Sequence, residues 1–469
     1  IGGDDLWLLR TDGSEPENLT ADFAPGIMDM QHPAGATPFL AWPRLTNASS
    51  LVVRTEGTEG RTYYSADADG HLVRLALPES AIDTSMAYSV ETQQFVVPAA
   101  TDSGLALWQL DLETGARDPT PLFRSNELLE EVDRPTTRMV DYVNAAGDRL
   151  QAGVLLPPDY VHGRKYPTIV LVYPTFLYGR SSFDHLTEPY ARWNPSLMAA
   201  SHDFREATSL NRPPYSQIGQ LAASRGYVVV YPSIPIRDVP YEELMGNVMP
   251  AVDAVTAEGY VDTTRLFVQG ESNGGFGTIA LLSLTDRFRA GAAHVPAFVN
   301  SISSYGIMQG DERYGDYPHV VRRSRVEMLG GQGRMHVPPW ENPERYMRGS
   351  VIFHADKIHA ALLLTQGDMD FLGMGQSEEI FLALTDLGRR AEYVRYWGEG
   401  HRFASPANIV DLYARTLAWF DEFGDIARNE RGELLWRDNR VISRGDAPPR
   451  SREWMIALLA GDFDPPVLR

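Results

Sequence analysis

The chain has 469 residues, 43% of them hydrophobic and 10% aromatic, which suits two or three packed domains and not a disordered chain. Its formal charge of −20 opposes nucleic-acid binding, and Lys and Arg are scattered among the acids without a basic patch. The absence of cysteine excludes disulfides, thiolate metal sites and a cysteine nucleophile, and no run approaches the roughly 18 apolar residues of a membrane helix.

The chain opens at Ile1 with no charged-then-apolar leader, so a signal peptide is expected to be absent or already removed. Composition does not separate a cytoplasmic from a periplasmic or secreted location. From residue 1 to about 130, short apolar runs alternate with turn-forming Asp, Gly, Asn and Ser, the pattern of β-structure. Leu6-Trp7-Leu8-Leu9 leads into Thr11-Asp12-Gly13, and Leu107-Trp108-Gln109-Leu110 leads into Glu113-Thr114-Gly115. The two tryptophans lie 101 positions apart, two repeats of about 50 residues, close to propeller blade lengths. Asp69-Gly70-His71-Leu72-Val73 belongs to the blade between them. The segment therefore reads as part of a β-propeller, with an irregular β-sandwich as the alternative. It holds only about two to three blades, whereas propellers close with about four to eight. Open edges would be left unpaired, so earlier blades are expected to be missing or supplied by another chain.

From about residue 131 to 425 the pattern changes to alternating strands and helices. Compact runs at Thr168–Val172, Tyr227–Tyr231, Leu266–Gln269, Ala361–Thr365 and Glu392–Tyr396 predict strands. Apolar spacings of three and four predict helices over Gln376–Leu387 and Asn408–Glu422. Such alternation implies an α/β fold, a mostly parallel sheet covered by helices on both faces. Residues 426–469, rich in Arg, Asp and Pro, read as a C-terminal tail packed on the surface, with a short helix candidate near Trp454–Leu459.

Gly270-Glu271-Ser272-Asn273-Gly274 sits between the predicted strand ending at Gln269 and a predicted helix over Gly274–Leu284. A G-x-S-x-G turn in that context is the nucleophile elbow of an α/β-hydrolase: the flanking glycines let a serine stand on a tight turn. The helix start beneath it offers N–H groups to an oxyanion. Ser272 is the candidate nucleophile. In this fold the acid and then the histidine follow the serine along the chain. Of eleven histidines only His401 lies beyond residue 370, in the loop Gly398-Glu399-Gly400-His401. It is the candidate base. Asp368 and Asp370, just past the preceding strand, both qualify on position as the carboxylate that orients it.

Gly259-Tyr260-Val261-Asp262, Arg265 through Gly275, and Gly398-Glu399-Gly400-His401 with Leu417-Ala418-Trp419-Phe420 resemble the signature of the prolyl oligopeptidase family of serine peptidases. The resemblance spans residues 140 to 425 and is nearest to acylaminoacyl-peptidase-like and dipeptidyl-aminopeptidase-like members. It implies an α/β-hydrolase domain preceded by a β-propeller. It also implies Asp370 as the triad acid, because the family's aspartate follows a glycine, here Gly367, by three positions. Tyr173 hydroxyl and Asn273 backbone N–H are implied as the oxyanion hole.

Three features depart from the family pattern. Leu372 stands where many members carry Arg or Asn, Pro174-Thr175 replaces Gly-Gly, and the stretch Leu177 to Pro214 is long and carries Asp203, Arg205 and Glu206. These leave the triad in place and remove any presumption of proline specificity. Phe298, Tyr305 and Phe371 are candidates for a side-chain pocket. The expected activity is hydrolysis of short peptides through an acyl-enzyme, without metal or organic cofactor. An esterase or amidase on small acyl substrates is the alternative, and an inert hydrolase domain used for binding is a third reading. An oligomer is compatible with all of these.

Overall fold

A computed structural model describes residues 131–179, 216–305 and 328–446 continuously. Before them it describes 7–8, 12–21, 29–30, 51–57, 60–67, 71–78, 87–89, 94–100, 105–111, 120–124 and 127. The described residues up to Val132 form one compact unit, and those from Asp133 onward form another.

The first unit contains two four-stranded antiparallel meanders. One joins β3 (Asp29–Met30), β4 (Leu51–Gly57), β5 (Gly60–Ala66) and β6 (Leu72–Arg74) in chain order. The other joins β7 (Ala87–Ser89), β8 (Gln94–Ala100), β9 (Leu105–Asp111) and β10 (Thr120–Arg124). Four strands in sequential order is the build of a propeller blade. Upstream, β1 (Trp7–Leu8) pairs with β2 (Glu17–Asn18), Trp7 opposite Asn18. Trp108 lies in β9 opposite Pro121. The two tryptophans thus sit in the first strand of comparable hairpins, which accounts for the repeat read from sequence. Val52, Val53, Phe95, Val97, Ala106 and Leu110 are buried in these sheets. Asp69, Gly70 and the Glu113–Gly115 turn lie outside the described residues.

The second unit is built on an eight-stranded sheet of order β11-β12-β14-β13-β15-β16-β17-β18. Its strands are β11 (Thr136–Val143), β12 (Arg149–Leu156), β13 (Tyr166–Leu171), β14 (Val228–Pro232), β15 (Val261–Glu271), β16 (Ala290–His294), β17 (Ala361–Gly367) and β18 (Ala391–Tyr396). From β14 to β18 every pair is parallel, and β11 and β12 add an antiparallel edge. Both faces are covered, so the inner strands bury residues throughout and side chains separate by parity. In β13, Val170 joins one core with Val268 and Leu364, while Ile169 and Leu171 join the opposite core with Phe267 and Leu363. Each fully buried aliphatic side chain of this kind contributes about 1.5–3 kcal/mol of transfer free energy. The chain runs from β13 to β14 on one side and returns to β15 on the other. That reversal is a topological switch point at the carboxyl ends of β13 and β15, where open α/β sheets place their ligands.

The helices framing the sheet are α1 (Ser216–Ser224), α2 (Pro240–Ala257), α3 (Asn273–Leu284), α4 (Ser301–Tyr305), α5 (Pro343–Gly349), α6 (Gly375–Asp386) and α7 (Pro406–Phe423). Residues Asn273 to Ser283 of α3 are all buried, so the helix is covered around its whole circumference. No helix among the described residues is long and apolar enough to cross a membrane.

The C-terminal segment differs from a surface tail. Ile426, Ala427 and Val441 are buried in the core, and Trp436 packs edge-on to Tyr166 at 5.0 Å. Arg428, 5% exposed, pairs with Asp421 at 2.6 Å and donates to the carbonyls of Arg225 and Gly432. Asp421 also accepts the Tyr227 hydroxyl at 2.6 Å. A buried cation needs such full pairing, and the pairing ties residues 426–446 into the domain. Trp454–Leu459 lies outside the described residues.

Candidate active site

Ser272 stands at the junction of β15 and α3 with φ 59° and ψ −120°, in the positive-φ region that non-glycine residues rarely enter. Three backbone bonds hold it there. Its N–H donates to His294 O at 2.9 Å, and its carbonyl accepts from Phe276 N at 3.1 Å and Ala297 N at 3.0 Å. The glycines are required by contact. A Cβ on Gly270 would lie 2.2 Å from Gly274 O, and one on Gly274 would lie 2.3 Å from Val172 O. The second contact shows how closely the end of β13 lies against the start of α3, and Asn273 Nδ2 donates to Pro174 O across the same seam at 3.3 Å.

His401 Nε2 lies 2.9 Å from Ser272 Oγ, and its Nδ1 lies 3.0 Å from each carboxylate oxygen of Asp370. A carboxylate only accepts, so Nδ1 carries the proton and Nε2 is left to accept one from the serine. Asp370 is fully buried and is held by Gln366 Nε2 at 2.7 Å and Leu372 N–H at 2.9 Å. Gln366 is itself fixed by Ser377 Oγ at 2.9 Å. Asp368, the other positional candidate, accepts Gly398 N–H at 2.6 Å and so anchors the histidine loop. Gly367 lets the two loops meet, since a Cβ there would lie 2.3 Å from Glu399 O. Glu399, 2% exposed, accepts from Ala404 N, Ser405 N and Asn408 Nδ2 at 2.6, 3.0 and 2.7 Å. It ties the residues just before α7 to the loop that carries His401.

Tyr173, two residues past the end of β13, is half-buried and stacks on Phe176 with ring centroids 4.3 Å apart. Burial pushes its hydroxyl above the usual range, while hydrogen bonding with Gln332 and with Ser272 pulls partly the other way. Asn273 is the first residue of α3, so its N–H is among the helix's unpaired first donors. Of the three pocket candidates, Phe371 lies against the His401 ring at 4.5 Å. Phe298 is 9% exposed in the core near Phe276, and Tyr305 packs edge-on to Trp340 and Tyr346. Asp203, Arg205 and Glu206 lie outside the described residues.

Gln366 and His294 carry no signal in sequence pattern, because their contacts depend on which loops the sheet brings together. His294 ends β16 directly beside the elbow. Its Nε2 is 3.1 Å from Gln269 Nε2 and its Nδ1 is 2.9 Å from Thr365 Oγ1. Burial lowers its pKa from 6.5 to about 4, so it stays neutral in the fold. The unfolded chain takes up that proton near the ordinary value, so this stability is fully present above pH 6.5 and is lost as pH falls toward 4. The expected loss attributable to His294 is about 3 kcal/mol. Chemical denaturation across that window measures it, and His294→Gln should remove this component of the slope.

The prolyl oligopeptidase family profile matches residues 242–425. The chain is 22% identical over 427 residues to the uncharacterized peptidase YuxL of Bacillus subtilis (strain 168), covering 87% of this chain and 56% of that protein. It is 24% identical over 239 residues to acylamino-acid-releasing enzyme 2 of Oryza sativa subsp. japonica, covering 47% of this chain and 30% of that protein. Among solved structures, the acylaminoacyl peptidase of Pyrococcus horikoshii superposes with a TM-score of 0.51 at 18% identity, covering 89% of this chain and 58% of that one. The chain thus spans little more than half the length of the first of these relatives and of the solved structure, and less than a third of the second relative. The fold is an α/β-hydrolase domain preceded by part of a β-propeller.

Proposed function

We infer that this chain, whose residues 242–425 belong to the prolyl oligopeptidase family, is a serine peptidase that hydrolyses peptide bonds of short peptides through an acyl-enzyme. The observation that carries the reading is the aligned Ser272–His401–Asp370 series, with hydrogen-bond distances on both sides of the imidazole. His401 Nε2 takes the Ser272 proton as Oγ adds to the scissile carbonyl. The resulting oxyanion is held by the Tyr173 hydroxyl and the Asn273 N–H, and one such donor is worth about 3–4 kcal/mol of barrier. His401 then gives its proton to the leaving amine, the C–N bond breaks, and the acyl group stays on Ser272. Water repeats the sequence: His401 removes its proton, hydroxide adds to the ester, and Oγ leaves with the proton returned. Every proton in this cycle is carried by His401, and Asp370 only stabilises and orients the imidazolium.

Peptide substrates are favoured over simple esters because the relatives reported above are named as a peptidase and an acylamino-acid-releasing enzyme. The triad alone does not fix the leaving group. Turnover of N-acylated and free peptide anilides is therefore compared with turnover of p-nitrophenyl esters. Cleavage of peptide anilides that is lost in Ser272→Ala is expected. Rapid ester cleavage with no peptide cleavage would remove the peptidase assignment and leave an esterase.

A further inference from the structure

Gln332 Nε2 lies 3.3 Å from the Tyr173 hydroxyl oxygen, between residues 159 positions apart in the chain. A tyrosine hydroxyl has one proton to donate and lone pairs with which to accept. When an amide N–H occupies a lone pair, the hydroxyl proton is free to point elsewhere. Ser272 is among the groups in hydrogen-bonding relation to this hydroxyl, so an oxyanion formed on the serine adduct would lie within its reach.

The turn that presents Gln332 is fixed independently of Tyr173. Met328 and Met335 are buried on either side of it, at 0% and 2% exposure. Met335 N–H donates to Met328 O and His336 N–H to Leu329 O, both at 2.8 Å. Gly333 has no room for a side chain, since a Cβ would lie 2.9 Å from Met328 Cα and O. Arg345 donates to Arg334 O at 2.7 Å and ties the turn to α5. Opposite it, the Tyr173 ring is stacked on Phe176. Donor and acceptor therefore sit on two pinned elements, the arrangement needed for a hydrogen bond that sets a direction.

We propose that Gln332 is a positioning residue for the oxyanion donor: its amide donates to the Tyr173 hydroxyl oxygen and thereby aims the hydroxyl proton at the developing oxyanion. The inference rests on the reading of Tyr173 and Ser272 given above. Donation into the hydroxyl also polarises its O–H bond, so the two hydrogen bonds reinforce each other.

The test compares Gln332→Glu and Gln332→Met, each with and without Tyr173→Phe. A carboxylate can only accept, so Gln332→Glu draws the Tyr173 proton away from the oxyanion. A thioether neither directs nor captures it. Gln332→Glu is expected to lower kcat by about 100-fold and Gln332→Met by roughly three- to tenfold, with KM unchanged. In the Tyr173→Phe background neither change should lower kcat further. Equal losses for Glu and Met, or losses that persist with Tyr173→Phe, would overturn the proposal. If Gln332→Glu fails to fold, the Met variant in both backgrounds still decides. If Tyr173→Phe alone costs nothing, the oxyanion assignment fails and this proposal with it, while Ser272→Ala separately reports on the triad.

Discussion

Ser272→Ala and His401→Ala are each expected to lower kcat for a peptide anilide by about 10⁶-fold, and the double variant by no more than either alone. In the proposed mechanism the two side chains act as one unit. Without Oγ there is no acyl-enzyme, and without the imidazole the hydroxyl keeps its proton. Their 2.9 Å separation is the geometric basis for this non-additivity. Both sites tolerate alanine structurally. Ser272 is held by backbone bonds to His294, Phe276 and Ala297, and the His401 loop is fixed by Glu399 and Asp368, not by the imidazole. Single-turnover kinetics of the three variants measure the effect. Losses that multiply in the double variant would mean that the residues work independently.

Asp370→Asn is expected to lower kcat by about 10⁴-fold, and Asp368→Asn far less. An asparagine at 370 can present its NH₂ to Nδ1, which favours the tautomer with the proton on Nε2, where it blocks removal of the serine proton. Two further contacts shape that outcome. Gln366 Nε2 donates to Oδ2 and Leu372 N–H to Oδ1 of the native carboxylate, so an amide can keep its oxygen toward only one of them, and its NH₂ then faces the other donor and the histidine. Asp368 instead receives Gly398 N–H, and asparagine retains an oxygen for that bond. Its replacement should loosen the loop slightly and leave the imidazole aligned. Steady-state kcat for the two variants, with folding checked by circular dichroism, distinguishes them. Comparable losses would move the orienting role away from Asp370.

What was legible in the sequence follows from how local each signal is. Gly270-Glu271-Ser272-Asn273-Gly274 between an apolar strand and a helix is read within a dozen residues, and the strand and helix stand where expected. His401 was reached by elimination along the chain. The choice between Asp368 and Asp370 is not local, since both follow β17, and only the family resemblance favoured Asp370. Distance now separates them, one at the imidazole and the other at Gly398 N–H.

Other elements were silent for physical reasons. Strand β16, Ala290-Gly291-Ala292-Ala293-His294, has none of the branched bulk that marks a buried strand. It is small because Gly291 faces α3, where a Cβ would lie 2.8 Å from Leu282. Helix α2 begins at Pro240 and carries Pro250 internally, and such residues read as breaks. The segment after α7 looked like a tail because its charge suggested solvent, yet Arg428 is 5% exposed and paired with Asp421. Gln332 sits in a glycine-rich stretch without periodicity, and its meaning depends on a tyrosine 159 residues away.

If Ser272 is an activated nucleophile in the folded protein, it should react with a fluorophosphonate, and peptide mapping in a mass spectrometer locates the adduct. One adduct is expected, on Ser272, formed rapidly in the native chain and slowly in His401→Ala. An unlabelled Ser272 in folded protein, or an adduct on a different serine, would contradict it.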